Sequence, residues 1–538
     1  MKKTVKKLTA VGLTLTTVMG LVACGGKKED PTKDNGGVVT KPKTIKVLVD
    51  NTVLAETNGG EKFYEYLEGL LEKVGDEGKI DLEFTRPPHS SYYDSVAATF
   101  NGTNKPDVVL LSSDYYALYS ANDMLWDMSE AWENSETKKS GRLIDGADKV
   151  LSALYVNDSD GNKAMYGFSP YRGNGCCTYV KSDWLKNAGI EPSSIQNKAM
   201  SFAEFYDMLK KMKAASKSDY VVSPPGFISA EAPYTNYLPE FYQKAQYTFY
   251  KDASGKYVDG FSEQAMIDAL DRISQGVKDG IINKGADGNS TSDARNRFYS
   301  TDPSTESGIF TYWAGNWANT LKKNLDGKTR TDGTAMSGDL VAINPITELG
   351  TYVERIAPAW CITTACENPQ GVFKYFIDTM LNGGDIQMAW QYGAKGTHWD
   401  DKAESFTLKG KDGKEGASYS YKDGEFHFLP SPEDPTKLIS KNHIDPPLAL
   451  AEIPNDPGKA SLTEVAKKNA EFFSDVCSMA VPLPMTEELG ANSADINKKR
   501  NEIISKVALG QCTGAEGIAE YKSSVGKLVD EVLKSLNK

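Results

Sequence analysis

Aromatic residues set beside amide, guanidinium or carboxyl groups recur along this chain. Trp313 and Trp317 flank Ala-Gly-Asn, with Asn316 between them. Asp114-Tyr115-Tyr116 is a second such group, and Tyr171-Arg172-Gly-Asn174 a third. Trp360 follows Ile-Ala-Pro-Ala. The chain carries 8 Trp, 27 Tyr and 19 Phe, so Tyr dominates an aromatic share of 10%. A flat ring lies against an apolar ligand face, while Asp, Asn, Arg and Tyr hydrogen-bond its hydroxyls. A sugar ring offers both features. This is recognition chemistry, and it breaks no bond. Packing inside a core is the alternative use of each ring.

Covalent chemistry leaves fewer traces. No G-x-S-x-G, H-E-x-x-H or Walker A pattern is present. Gly173-Asn-Gly175-Cys-Cys-Thr178 starts like a dinucleotide fingerprint but lacks the third Gly. The four His (His89, His398, His427, His443) include no pair at metal-ligand spacing. Asp158-Ser-Asp-Gly-Asn-Lys163 reads as a turn, because a calcium loop wants Gly at its sixth position and Glu at its twelfth, where Lys163 and Ser169 stand. No metal and no cofactor is expected. Glycoside hydrolysis needs only two carboxylates at the right separation, and 73 acids leave that reading open. A hydrolase is therefore the alternative of another class, and a non-catalytic adhesin or scaffold a third.

These side chains need a framework. At 538 residues, 40% hydrophobic and 25% charged, the chain is long enough for two to four lobes and too apolar for disorder throughout. A formal charge of -12 argues against nucleic acid as the main partner. Residues 8–23 form the only long apolar run, too short and too rich in Thr and Gly for a membrane span, so a polytopic membrane protein is excluded. That run follows Lys2, Lys3, Lys6 and Lys7 and ends in Leu-Val-Ala-Cys24, the layout of an export signal over residues 1–23. The Cys after a small residue resembles a bacterial lipobox. By that resemblance Cys24 is lipidated and becomes the first mature residue. Cleavage removes four Lys and no acid, taking the formal charge from -12 to -16. Residues 24–43 are polar and aperiodic, as a tether between a lipid anchor and a folded body would be. Six Cys remain, too few for a disulfide scaffold, and buried free thiols are expected.

The body alternates extended and helical patterns. Residues 44–49, 80–84 and 106–111 read as strands, with helical spacing over 61–74 and 92–100 between them. That order implies βαβ units and a parallel sheet, with ligands at the carboxyl ends of its strands. Those ends carry residues 86–93 and 112–116. Ser201 with Glu204 forms a capping-box pattern before the helix 202–212. Helices are also expected over 261–278, from Asn368-Pro369 onward, and over 517–536. Residues 400–440, rich in Gly, Lys, Asp, Ser and Tyr, read as short hairpins or a surface insertion.

Several phrases, in order, resemble one family. They are Pro106-Asp107 before Val-Val-Leu-Leu, Tyr166-Gly-Phe-Ser-Pro-Tyr171, Thr178-Tyr-Val-Lys-Ser-Asp-Trp-Leu-Lys-Asn-Ala-Gly-Ile190 and Ser201-Phe-Ala-Glu-Phe205. Gly308-Ile-Phe-Thr-Tyr-Trp-Ala-Gly-Asn-Trp317, Asn368-Pro369 and Gln391-Tyr-Gly-Ala-Lys-Gly-Thr-His-Trp399 continue the series. Together they resemble the extracellular solute-binding proteins, family 1, of sugar-type ABC importers, in a long-chain lipoprotein subgroup. The Cys176-Cys177 pair departs from the pattern. The resemblance implies an α/β, two-lobed periplasmic-binding-protein-like fold of type II, with discontinuous lobes and a central cleft. The implied lobes are 44–170 plus 345–395, and 171–344 plus 396–538, with crossings near 168–173, 342–347 and 393–398. It implies a monomer at the outer face of the bacterial membrane. That monomer hands a carbohydrate, an oligosaccharide by chain length, to a membrane permease without catalysis. A peptide or another polar solute is the alternative ligand. Trp317 takes the stacking role by its place in the family phrase. Trp313, Asn316, Trp360, Asp114, Tyr115, Tyr116, Tyr171, Arg172 and Asn174 complete the candidate site. Trp184 is expected in the core.

Overall fold

The computed structural model describes residues 39–51, 60–75, 78–157, 162–228, 235–410, 412–432, 434–439 and 444–538. The export segment, Cys24, most of the tether, residues 158–161 and His443 lie outside them. The chain divides into Met1–Val39 and Thr40–Lys538, and the second unit carries the site.

Short β-branched runs and amphipathic helices alternate as the sequence expects. They are β1 (Thr44–Leu48), α1 (Gly60–Leu71), β2 (Asp81–Thr85), α2 (Tyr92–Asn101), β3 (Val108–Leu111) and α3 (Ser113–Ala121). Next come β4 (Cys176–Lys181), α4 (Phe202–Ala215), β5 (Ile309–Trp313), α5 (Asn316–Leu325) and β6 (Leu340–Ala342). β7 (Tyr352–Glu354) and β8 (Ala359–Ile362) precede α6 (Glu464–Val476), β9 (Cys477–Met479), α7 (Glu487–Ala508) and α8 (Gly514–Leu536). The capping box forms: Ser201 Oγ accepts from the Glu204 amide, and the Glu204 carboxylate accepts from the Ser201 amide.

Two sheets organise the body. In the first, ordered β8-β3-β1-β2, the first three strands of the chain are parallel and β8 is antiparallel to β3. Every residue of β3 is buried, as a strand covered on both faces must be. The second sheet, ordered β6-β4-β5, is antiparallel and sets Cys176 opposite Trp313. Alternation along it sends Val180 and Ile309 into one core and Cys177, Tyr179, Phe310 and Tyr312 into another. A hairpin of Glu404–Lys409 with Glu415–Tyr421 lies in the stretch expected as an insertion. Among the described residues Cys176, Cys177, Cys361, Cys366 and Cys477 are buried and Cys512 is partly so, and no disulfide joins them.

The first core gathers side chains from Ile45 to Phe168, from Ile356 to Trp390, and Ile444, Ala449, Leu450 and Ala451. Apart from a small cluster of Met388, Tyr392 and Trp399, two further cores gather Cys177 to Tyr352 and then Phe473 to Val532. The chain therefore passes between them after Phe168, after Tyr352 and after Ala451.

Candidate functional site

The first two passages run backbone against backbone. A Cβ at Gly173 would sit 1.8 Å from the Arg355 carbonyl oxygen, and one at Gly175 would sit 2.2 Å from that of Val353. Only Gly fits so close an approach. The Arg355 amide donates to the Asn174 carbonyl at 3.0 Å, and its Nε donates to the Gly173 carbonyl at 2.8 Å. Asn174 has a left-handed backbone (φ 62) and donates through Nδ2 to the Ala314 carbonyl at 3.1 Å. Arg172 is buried against Glu354, bonding through Nε at 3.0 Å and Nη2 at 2.5 Å. Its own amide donates to the Leu448 carbonyl at 2.8 Å, and half-buried Tyr171 bridges to Ala449.

The carboxyl end of β5 reaches the same place. The Ala314 amide donates to the Gly175 carbonyl at 3.0 Å. Trp313 is half-buried, and the Arg355 guanidinium lies 5.0 Å from its ring centre. At the start of α5, Asn316 Nδ2 donates to Asp445 Oδ1 at 2.5 Å. Burial pushes the Asp445 carboxyl up to about 7, against the lowering effect of that hydrogen bond. Trp317 is half-buried and edge-on to Tyr312 at 4.8 Å, with the Arg295 guanidinium 5.2 Å from its ring centre.

The first sheet presents the carboxyl ends of its parallel strands. Asp50, just past β1, touches His89 Nδ1 through Oδ2. Tyr93 and Tyr115 stack at 4.0 Å and 5°, and the Tyr93 hydroxyl accepts from the Ser112 amide at 2.9 Å. Burial raises the Asp114 carboxyl, with the Ser113 hydroxyl opposing.

Tyr171, Arg172, Asn174, Trp313 and Asn316 are thus brought together around the passages, and Trp317 follows one residue on. Asp114 and Tyr115 sit at the end of β3. Two candidates lie inside the first core instead. Tyr116 is fully buried, donates to the Leu154 carbonyl and accepts from the Tyr166 amide at 3.0 Å. Trp360 is buried with Phe376 and Trp390 edge-to-face at 5.8 and 5.5 Å, so packing occupies its surroundings. Arg172 has its charge taken by Glu354. Trp184 is buried in the second core, as expected.

Arg355, Arg295 and Asp445 escaped the sequence reading. Nothing in their local spacing sets them apart, and only the pairing of separate segments brings Arg355 to Trp313, Arg295 to Trp317 and Asp445 to Asn316. A separate pocket of about 310 Å³ lies at the far end of β4, lined by Asp183, Trp184, Glu306 and Arg330 among others. Its buried charges pair with one another: Arg330 meets both Glu306 and Asp183 at 2.6 Å. Among the described residues no group of three or more His, Cys, Asp and Glu is placed to hold a metal ion.

The family model for the bacterial extracellular solute-binding protein matches residues 55–382. This chain belongs to that family. No curated protein sequence matches it. Solved structures share its fold. A family 1 extracellular solute-binding protein from Alicyclobacillus acidocaldarius is 14% identical, with a TM-score of 0.54 over 91% of this chain and 100% of the other. The N-glycan transport solute-binding protein of Streptococcus pneumoniae is 15% identical, with a TM-score of 0.55 over 92% and 98%. A substrate-binding protein from Listeria monocytogenes, solved with cycloalternan, is 13% identical, with a TM-score of 0.52 over 91% and 100%. The solute-binding protein therefore has the two-lobed, periplasmic-binding-protein-like fold that its phrases imply. Among its described residues no helix is long and apolar enough to cross a membrane.

Proposed function

We propose that this solute-binding protein captures an oligosaccharide between its lobes and delivers it to an ABC permease. One observation carries the reading: half-buried Trp313 with the Arg355 guanidinium, and the Asn316 amide, gather where the chain passes between cores, and half-buried Trp317 with the Arg295 guanidinium follows one residue on. Rings for apolar sugar faces and donors for hydroxyls are what such a ligand needs. The fold neighbours that carry an N-glycan or were solved with cycloalternan support a carbohydrate over a peptide.

The lobes in this reading are built on the first core, and on the second and third cores together. The passages at 169–175 and 353–355, and the stretch after Ala451, form the hinge. Trp313, Trp317, Asn316, Tyr171 and Tyr115 contact the ligand, and Arg172 and Asn174 hold the hinge. Closure is driven by tighter binding to the closed state, and the permease reads that state. No covalent step occurs, so the ligand leaves unchanged. Export over residues 1–23 and lipidation at Cys24 hold the monomer at the outer membrane face.

A thermal-melt screen of the purified chain against oligosaccharides, amino acids and short peptides tests this. A ligand at 100 times its Kd adds about 2.7 kcal/mol. A shift with one glycan class, the glycan recovered intact, supports the reading. A shift with peptides alone removes the carbohydrate, and glycan cleavage removes the binding-protein function.

A further inference from the structure

The charges at the site do not follow the charge of the chain. The whole sequence is acidic at -12. At the passages, however, Arg172 is neutralised by Glu354, whereas Arg355 and Arg295 have no carboxylate within ion-pair distance among the described residues. Arg355 commits Nε to the Gly173 carbonyl at 2.8 Å, which fixes its plane and leaves both terminal nitrogens without an acceptor among the described residues. Among the described residues the Arg295 guanidinium bonds neutral hydroxyls, those of Tyr312 at 3.3 Å and Ser292 at 3.1 Å. Each guanidinium lies over a tryptophan, Arg355 on Trp313 at 5.0 Å and Arg295 on Trp317 at 5.2 Å. The nearby acid weighs less than its formal charge. Asp445 is engaged by Asn316, and burial raises its carboxyl to about 7, which lowers its negative charge near neutrality.

A half-buried guanidinium without a carboxylate partner is a receptor for an oxyanion, because its fork matches two oxygens at once. Stacking on an indole holds that fork still and leaves the other ring face for an apolar surface. A neutral sugar would need neither charge. A charged sugar residue would use both halves of each pair, the ring for its C–H face and the guanidinium for its anionic group.

We propose that the ligand is an acidic oligosaccharide whose carboxylate or sulfate ester is received by Arg355, with Arg295 as a second contact. The assignment rests on the carbohydrate reading above. Arg355 sets specificity at the hinge, and Arg295 extends it along the wall of the second lobe.

Calorimetric titration of the full chain tests this with matched probes. A galacturonic acid trisaccharide and a sulfated galactobiose that carries no carboxylate are compared with galactotriose and chitobiose, at low and high salt. Arg355→Gln, Arg355→Lys and Arg295→Gln are titrated alongside, after thermal melts establish that each is folded. The expected result is an acidic probe binding at least about tenfold more tightly than the neutral ones, as a charge-assisted hydrogen bond allows. Its affinity falls with added salt and falls about tenfold or more in Arg355→Gln. Arg355→Lys keeps part of it, since the charge remains and the fork is lost. Whether the galacturonate or the sulfated probe leads decides between carboxylate and sulfate. A neutral probe that binds best, with affinity unchanged in Arg355→Gln and Arg295→Gln, overturns the acidic ligand and keeps the sugar. Binding of no glycan, charged or neutral, overturns the carbohydrate reading and this one with it.

Discussion

Arg172 and Glu354, 182 residues apart, form a buried ion pair through two bonds, of 3.0 and 2.5 Å. Arg172 Nη1 also donates to the Ala470 carbonyl at 3.2 Å, and Cys477 Sγ donates to Glu354 Oε2 at 3.2 Å. The pair thereby ties both passages to α6 and β9. Removing one partner of a buried pair strands a charge and costs about 3–5 kcal/mol. Arg172→Met should lose that much in chemical denaturation, and Arg172→Met with Glu354→Leu should lose less. A loss under about 1 kcal/mol in the single variant would show that the pair does not hold the hinge.

Stability should fall as pH rises through the acid range. Burial raises Asp445 to about 7 from an ordinary 3.8, and Glu240 to about 7 from 4.5. A carboxyl raised in the folded state binds more protons there than when unfolded between the two values. Its contribution is most favourable below about 4 and is lost by about 7. Melts from pH 4.5 to 8 should show part of this slope, and Asp445→Asn and Glu240→Gln should each flatten it. A wild-type slope that both variants keep would place its origin elsewhere.

Gly173→Ala should destabilise the contact between the first two passages. The added methyl would meet the Arg355 carbonyl oxygen at 1.8 Å, and backbone cannot yield as a side chain can. A loss of about 1–3 kcal/mol, the usual range for overpacking, is expected in the melt. An unchanged melting temperature would mean that the two segments separate freely.

Trp317 and Trp360 should separate binding from folding. Trp317 is half-buried beside Arg295, so Trp317→Ala should weaken ligand affinity with a small change in melting temperature. Trp360 is enclosed by Phe376 and Trp390, so Trp360→Ala should cost about 3–5 kcal/mol of stability. Paired melts and titrations read both. The reverse pattern would move the ligand to the first core.

The contrast between these tryptophans shows what the sequence can convey. The strands β1 to β3 and their helices were legible, because hydrophobic period and β-branched runs are local signals. The hairpin region and the Ser201 cap were legible for the same reason. Trp360 and Trp313 were not separable, since each belongs to a short apolar strand. Only β8 lying against β3 shows that Trp360 is enclosed. Arg172 stood out beside Tyr171, yet its partner lies 182 residues away and no local pattern points there. Asp445 likewise meets Asn316 across 129 residues. The site is a product of chain passages, and the pairing of distant segments leaves no period to read.

The most direct measurement is a calorimetric titration of the leading oligosaccharide against the full chain and Trp313→Ala, with the recovered glycan examined by chromatography. Saturable binding, a glycan recovered intact and affinity at least about tenfold weaker in the variant are expected, since burying a large apolar side chain contributes about 1.5–3 kcal/mol. Equal affinity in the two proteins, or a cleaved glycan, would contradict the proposed function.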